Sequence, residues 1–330
     1  VNINQLMDVL GINIAVVIGY LFSVYVTHEW RWMFGSEVIP IILLIIGLIF
    51  IPESPRWLAS KGRVNEALKV LTKINGKEIA NKELDEISTE LKAETGEFRD
   101  LLKPGIKTSL IIAIILMIFS QINGVNMMLL YGPTIMADAG IEVGSESILS
   151  SMPVYLFILI CTIISFSLIK RFSRRGLLLV SVFFMMAGHI IMSINLIQQW
   201  NPILTLIPLL TAAGAFTLGF APLSWIITSE IFPNRIRGKA MAIVGSLLYF
   251  SNFILAQIFP AMSQWFNNRY SNTGGMYLVF AAICGACLIF SWKYVPETKG
   301  LSLETISEFW LNTNNSRKKA SKKMTSKSIS

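Results

Sequence analysis

Eight stretches of this chain, about 5–27, 33–51, 108–137, 147–169, 176–198, 202–228, 239–266 and 274–295, are apolar almost throughout. A helix of roughly 20 apolar residues is what crossing the hydrocarbon core of a bilayer requires. No water-soluble core of this size needs so many such stretches. Of the 330 residues 53% are hydrophobic and only 15% charged, against about 25% charged in a soluble domain. The reading is an all-α integral membrane protein, and an ordinary cytosolic enzyme or a disordered chain is excluded.

Charge placement fixes the topology. All but two of the 28 Lys and Arg fall in the segment 52–107, the turns 170–175 and 235–239, and the stretch from Lys293 onward. The two exceptions are Arg31 and Arg269. Basic residues accumulate on the cytoplasmic side, so those four regions face the cytoplasm and the alternate loops, including 138–146 and 198–202, face outward. The same distribution argues against nucleic acid despite a net charge of +8, because the basic residues sit between apolar blocks and in the tail, not on one aromatic-laced face. Cys161, Cys284 and Cys287 lie inside apolar blocks, which suggests packing and no disulfide framework. The chain opens on Val1 without the charged start and cleavage site of a signal peptide, and reads as a fragment beginning in mid-structure. The Ser/Lys/Asn-rich tail, 312–330, reads as solvated and disordered.

The segment 52–107 reads as a soluble helical insertion. Ser54-Pro55 has the form of a helix start. Ala67, Leu68, Val70, Leu71 and Ile74 recur at helical spacing, and Gly76 stops that helix. Leu84, Ile87 and Leu91 mark a second, short amphipathic helix.

Polar groups in hydrocarbon need a partner or a cavity, and three clusters meet that description. Gln5 and Asp8 share one helix face, with Asn13 beyond. Ser120, Gln121, Asn123 and Asn126 form the second, with Gly124 between and Gly132-Pro133 after. The third runs through Gly214, Thr217, Gly219, Pro222, Ser224 and Trp225 to Tyr249, Ser251 and Asn252. Asn and Gln side chains both donate and accept, as a sugar hydroxyl does, and an indole offers an apolar face to the C–H side of a pyranose. The competing reading is that these groups join helix to helix. His189, alone in mid-span, reads as structural, and His28 as solvated. No metal-ligand spacing, cofactor motif or nucleophile–base pair is present.

Several motifs resemble those of the sugar porters, the sugar transporter branch of the major facilitator superfamily. They are Trp30-Arg31-Trp32-Met33, Pro52-Glu53-Ser54-Pro55-Arg56-Trp57-Leu58, Gln121-Ile122-Asn123-Gly124-Val125-Asn126 with Tyr131, Gly219 to Trp225, Glu230 to Gly238, and Pro296-Glu297-Thr298-Lys299-Gly300. The resemblance implies eight of the family's twelve helices, five to twelve. Residues 1–51 would close the N-terminal half, 52–107 form the cytoplasmic insertion, 108–295 the C-terminal half and 296–330 a cytoplasmic tail. It implies Gln5, Gln121, Asn126, Trp225 and Asn252 as sugar contacts, with Tyr249 where an aromatic lines the site. Departures fall at Ser120, Leu130, Thr217 and Leu248.

The resemblance also implies a cytoplasmic latch from Glu53, Arg56, Arg174, Arg175, Glu230, Arg235 and Arg237. The family's acid before Gly-Arg-Arg is missing from Lys170-Arg171-Phe172-Ser173-Arg174-Arg175. Asp8, a carboxylate one turn from Gln5, is a candidate substrate or proton site. The expected function is alternating-access transport of a sugar or polyol coupled to protons, without a cofactor, in the plasma (inner) membrane. The alternatives are a truncated product that transports nothing and a sugar sensor of the same fold.

Overall fold

The computed structural model describes residues 2–26, 29–92, 98–103, 105–132, 147–200 and 202–299, without the side chains of 2, 29, 90–92, 147–151, 202–203 and 234–235. His28, the 138–146 loop, Pro133, the Arg235 side chain and the tail beyond 299 therefore lie outside the described residues. Those residues hold eight helical stretches long and apolar enough to cross a membrane, from Ile3–Tyr25 to Gly274–Tyr294. This agrees with the eight apolar blocks. The residues divide into two compact units, 1–24 with 98–330, and 25–97.

In the larger unit the helices are α1 (Asn2–Tyr25), α7 (Ile106–Ile122), α8 (Val125–Leu130), α9 (Ser147–Arg171), α10 (Arg174–Gln198), α11 (Leu206–Ala215), α12 (Ala221–Glu230), α13 (Asn234–Tyr270) and α14 (Gly274–Tyr294). Lipid tails are as apolar as leucine, so shape and close approach, more than burial from water, hold such helices together. Gly188 shows the principle: a Cβ there would lie 3.0 Å from both Ala212 and the Pro208 carbonyl, which is how near α10 comes to α11. Leu116, Met117, Met185, Leu223 and Tyr277 fill the centre. Asn13 acts as the competing reading foresaw: its amide bonds the carbonyls of Val9 (2.8 Å) and Tyr155 (3.2 Å) and ties α1 to α9.

Two of the apolar blocks are not continuous α-helix. The third is broken, because Asn123 and Gly124 leave the helix and Gly124 takes a left-handed φ of 86°. The sixth is interrupted by one π-helical turn, Phe216–Phe220, between α11 and α12. Such turns widen the helix locally and recur at functional sites.

The smaller unit holds α2 (Glu29–Ser36), α3 (Val38–Phe50), α4 (Pro55–Ser60), α5 (Val64–Asn75) and α6 (Lys77–Lys92). α4, α5 and α6 enclose Leu58, Ala67, Leu71, Ala80 and Leu84. This small core is of the water-soluble kind, where a buried Leu is worth about 1.5–3 kcal/mol. Gly76 ends α5 as expected. α4 starts on Pro55, yet the Ser54 hydroxyl makes no cap bond, and the second amphipathic helix is longer than expected at 16 residues. Arg63 closes an exposed bidentate pair with Glu66 (2.7 and 2.6 Å), and that bond holds the Glu66 carboxyl below its usual range.

Candidate binding site and cytoplasmic charge cluster

The break between α7 and α8 is built by its own side chains. Asn123 is buried, and its amide donates to the carbonyls of Phe119 (2.9 Å) and Ser120 (2.7 Å) while its Oδ1 accepts from Val125 N (2.9 Å). Asn123 is therefore the staple of the turn. Ser120 is buried and turns its hydroxyl to the Met117 carbonyl (2.7 Å).

Held at that turn, Gln121 and Asn126 face one another. Gln121 Oε1 accepts from Asn126 Nδ2 at 2.9 Å and from Asn252 Nδ2 of α13 at 2.7 Å. Gln121 Nε2 lies 3.3 Å from the Ser120 hydroxyl. The cluster carries no charge. It still offers the carbonyl oxygens of Asn126 and Asn252 as acceptors and an N–H of each as a donor, the pairing that a vicinal diol requires.

The remaining expected contacts are placed less tightly. Gln5 on α1 and Trp225 on α12 are half-buried, and Tyr249 stands on α13 one turn before Asn252, 70% exposed. None of the three bonds to the amide cluster among the described residues. Asp8 is exposed on α1. Ser224 and Ser251 donate to carbonyls of their own helices, those of Ala221 (2.9 Å) and Leu247 (2.7 Å), and so are satisfied locally. Tyr131, just past α8, stacks on Phe259 of α13 with centroids 4.6 Å apart. Cys161, Cys284 and Cys287 are buried free thiols.

At the end of the unit bearing the 170–175 turn, a second cluster is charged. Arg174 reaches Glu230 Oε1 at 3.5 Å and the Ile169 carbonyl at 2.6 Å, and Thr298 donates to Glu230 Oε2 at 2.5 Å. Arg175 donates to the Trp292 carbonyl and Arg237 to that of Phe232 (3.2 Å). Lys170, Arg174, Glu230 and Lys299 line an open cavity of about 700 Å³, with Ile3, Ile169 and Ile226 among its walls. Glu53 and Arg56 belong to the other unit.

Sequence reasoning missed Thr298 and two further members. Glu297 receives the backbone amides of Arg174 (3.0 Å) and Arg175 (3.1 Å), so it caps the positive end of α10. Lys299 Nζ donates to the carbonyls of Lys170 (2.8 Å) and Arg171 (2.9 Å), the negative end of α9. Burial pushes the Glu297 carboxyl up, but the amides of Lys299, Arg174 and Arg175 and the Ser173 hydroxyl outweigh it and hold the group below its usual range. The signal was in plain view: an acid and a base two apart, just past the last apolar block, beside a turn that lacks its own acid.

An all-α, multi-pass integral membrane protein with uncharged amides at a broken helix is the class these features define. Comparison with known proteins supplies the family. The model of the Sugar (and other) transporter family matches residues 1–310, and the chain belongs to that family. It is 34% identical over 315 residues to the arabinose-proton symporter of Bacillus subtilis (strain 168), covering 93% of this chain and 67% of that protein. It is 32% identical over 286 residues to the D-xylose-proton symporter of Escherichia coli (strain K12), covering 86% and 58%. The fold matches a solved structure of the proton:xylose symporter XylE, of the major facilitator superfamily, bound to 6-bromo-6-deoxy-D-glucose. The TM-score is 0.80 at 30% identity, over 94% of this chain and 66% of that one. The fold is thus that of the major facilitator superfamily, and the family is one of transporters rather than enzymes. The chain spans about two thirds or less of the length of these proteins.

Proposed function

We propose that the protein carries a sugar or polyol across the plasma (inner) membrane by alternating access, coupled to protons. The observation that carries this reading is the triad Gln121–Asn126–Asn252, three neutral amides joined across α7, α8 and α13 at a helix break. Neutral donors and acceptors suit a polyol, and the break gives the site a place to bend. Gln5 and Trp225 would close on the bound ring and Tyr249 would line its approach. The named relatives carry arabinose and xylose with protons, which favours a pentose.

The division 1–51, 52–107, 108–295 and 296–330 is our working assignment of half, insertion, half and tail. Glu53, Arg56, Arg174, Arg175, Glu230, Arg235 and Arg237 would latch the cytoplasmic side. Asp8 would take the coupling proton or a substrate hydroxyl. The test is uptake of labelled arabinose, xylose and a polyol panel into vesicles with and without an imposed pH gradient, using the full-length protein. Accumulation driven by the gradient is expected. Sugar-independent behaviour across the whole panel overturns the reading.

A further inference from the structure

His189 is the one histidine among the described residues, and no candidate role above uses it. Its side chain is fully buried in α10, and neither ring nitrogen has a partner at ordinary hydrogen-bond geometry among the described residues. A phenylalanine there would fill similar space without leaving two polar atoms unmet, so the imidazole is a costly choice for packing alone. Two rings flank it, Phe280 at 5.6 Å and Tyr277 at 6.2 Å between centroids. Its polar neighbour is the backbone of Asn123.

Asn123 is where α7 stops. Met128 gives its amide to Gly124 (2.9 Å), and the Asn123 carbonyl takes the Cys284 thiol at 4.0 Å, a weak substitute for an amide. A buried ring donor and a poorly served carbonyl therefore stand side by side. The rings complete the picture. A Cβ on Gly124 would lie 2.4 Å from the Phe280 ring, so the break rests directly on Phe280. Phe280 stacks on Phe259 (6.3 Å), and Phe259 on Tyr131 beyond α8 (4.6 Å). One row of rings thus runs from the far end of α8, under the break, to His189.

We propose that His189 is a positioning residue for the α7–α8 break. It backs Phe280 as the seat on which Gly124 turns, and it holds an N–H beside the poorly served Asn123 carbonyl. The proposal rests on the site reading above, because the break sets Gln121 and Asn126 face to face.

The test follows α8 and transport separately in the full-length protein, reconstituted with the buried Cys161, Cys284 and Cys287 left in place. Spin labels at Leu130→Cys and Tyr270→Cys, both exposed in this structure, report the distance from α8 to the end of α13 with and without xylose or arabinose. His189→Phe is expected to alter that distance distribution. It should also raise the KM for uptake about three- to tenfold, the reach of one ordinary hydrogen bond, at unchanged membrane level. His189→Gln, which keeps a donor, should return KM to within about twofold. A wild-type distance distribution and KM in His189→Phe overturn the proposal. Equal impairment of His189→Gln overturns the donor role. Should His189→Phe fail to accumulate, Phe280→Leu must shift the same distance, and an unmoved α8 overturns the seat. If the unaltered protein carries no sugar, the transport reading falls while the label distances still decide the role of His189.

Discussion

At the scale of single residues, the amides of the site differ in what they hold. Gln121 accepts two hydrogen bonds through one oxygen, so Gln121→Ala strips partners from Asn126 and Asn252 together. Asn252→Ala removes one bond. Gln121→Ala is expected to weaken sugar binding about tenfold to a hundredfold and Asn252→Ala by less, read by titration of the detergent-purified protein. Gly124→Ala meets two obstacles, a left-handed φ of 86° and the Phe280 ring. A left-handed alanine alone costs about 1–2 kcal/mol, so a lowered melting temperature is expected beyond any effect on binding. For Asp8→Asn we expect uptake down the sugar gradient to persist while pH-driven accumulation fails. Unchanged accumulation and pH dependence would remove Asp8 from the coupling.

At the scale of elements, the segment after α14 does what the missing acid of the α9–α10 turn leaves undone. Glu297 neutralises the amino end of α10 and Lys299 the carbonyl end of α9. The folded Glu297 carboxyl is held below its ordinary value of 4.5. Its contribution is therefore complete above that value and fades as pH falls through the lower folded one. Glu297→Gln should melt earlier than the unaltered protein near neutral pH, and the two melting curves should converge in acid. A gap that persists below that range contradicts the assignment. The α7–α8 break shows why part of the architecture was legible and part was not. Apolar length alone located every span, because the bilayer sets that length. Gly124 hinted at a weak point, but a glycine in a strand of apolar letters does not say which ring lies beneath it. The π turn at Phe216–Phe220 has no local signature at all, since it is a matter of packing against neighbours. Asn123 carried the chemistry of a ligand-binding amide and proved to be the turn's own staple. Its spacing from Gln121 and Asn126 could not separate those roles.

At the scale of the whole molecule, charge and apolar length together predict which side each loop faces. Single cysteines at Lys103 and Asn272 test it: a membrane-impermeant maleimide applied outside intact cells should label Asn272→Cys and spare Lys103→Cys. The three native thiols are buried, so background labelling should be small. Labelling of both from outside would overturn the topology. The uncharged triad has a consequence at this scale as well. Gln121 Oε1 joins Asn126 and Asn252, and each of these two still offers a carbonyl oxygen and an N–H. A hydroxyl can therefore be seated without breaking the triad, and it can leave without stranding a charge. In the carrier proposed above, so neutral a seat would let the passenger go at the end of each cycle.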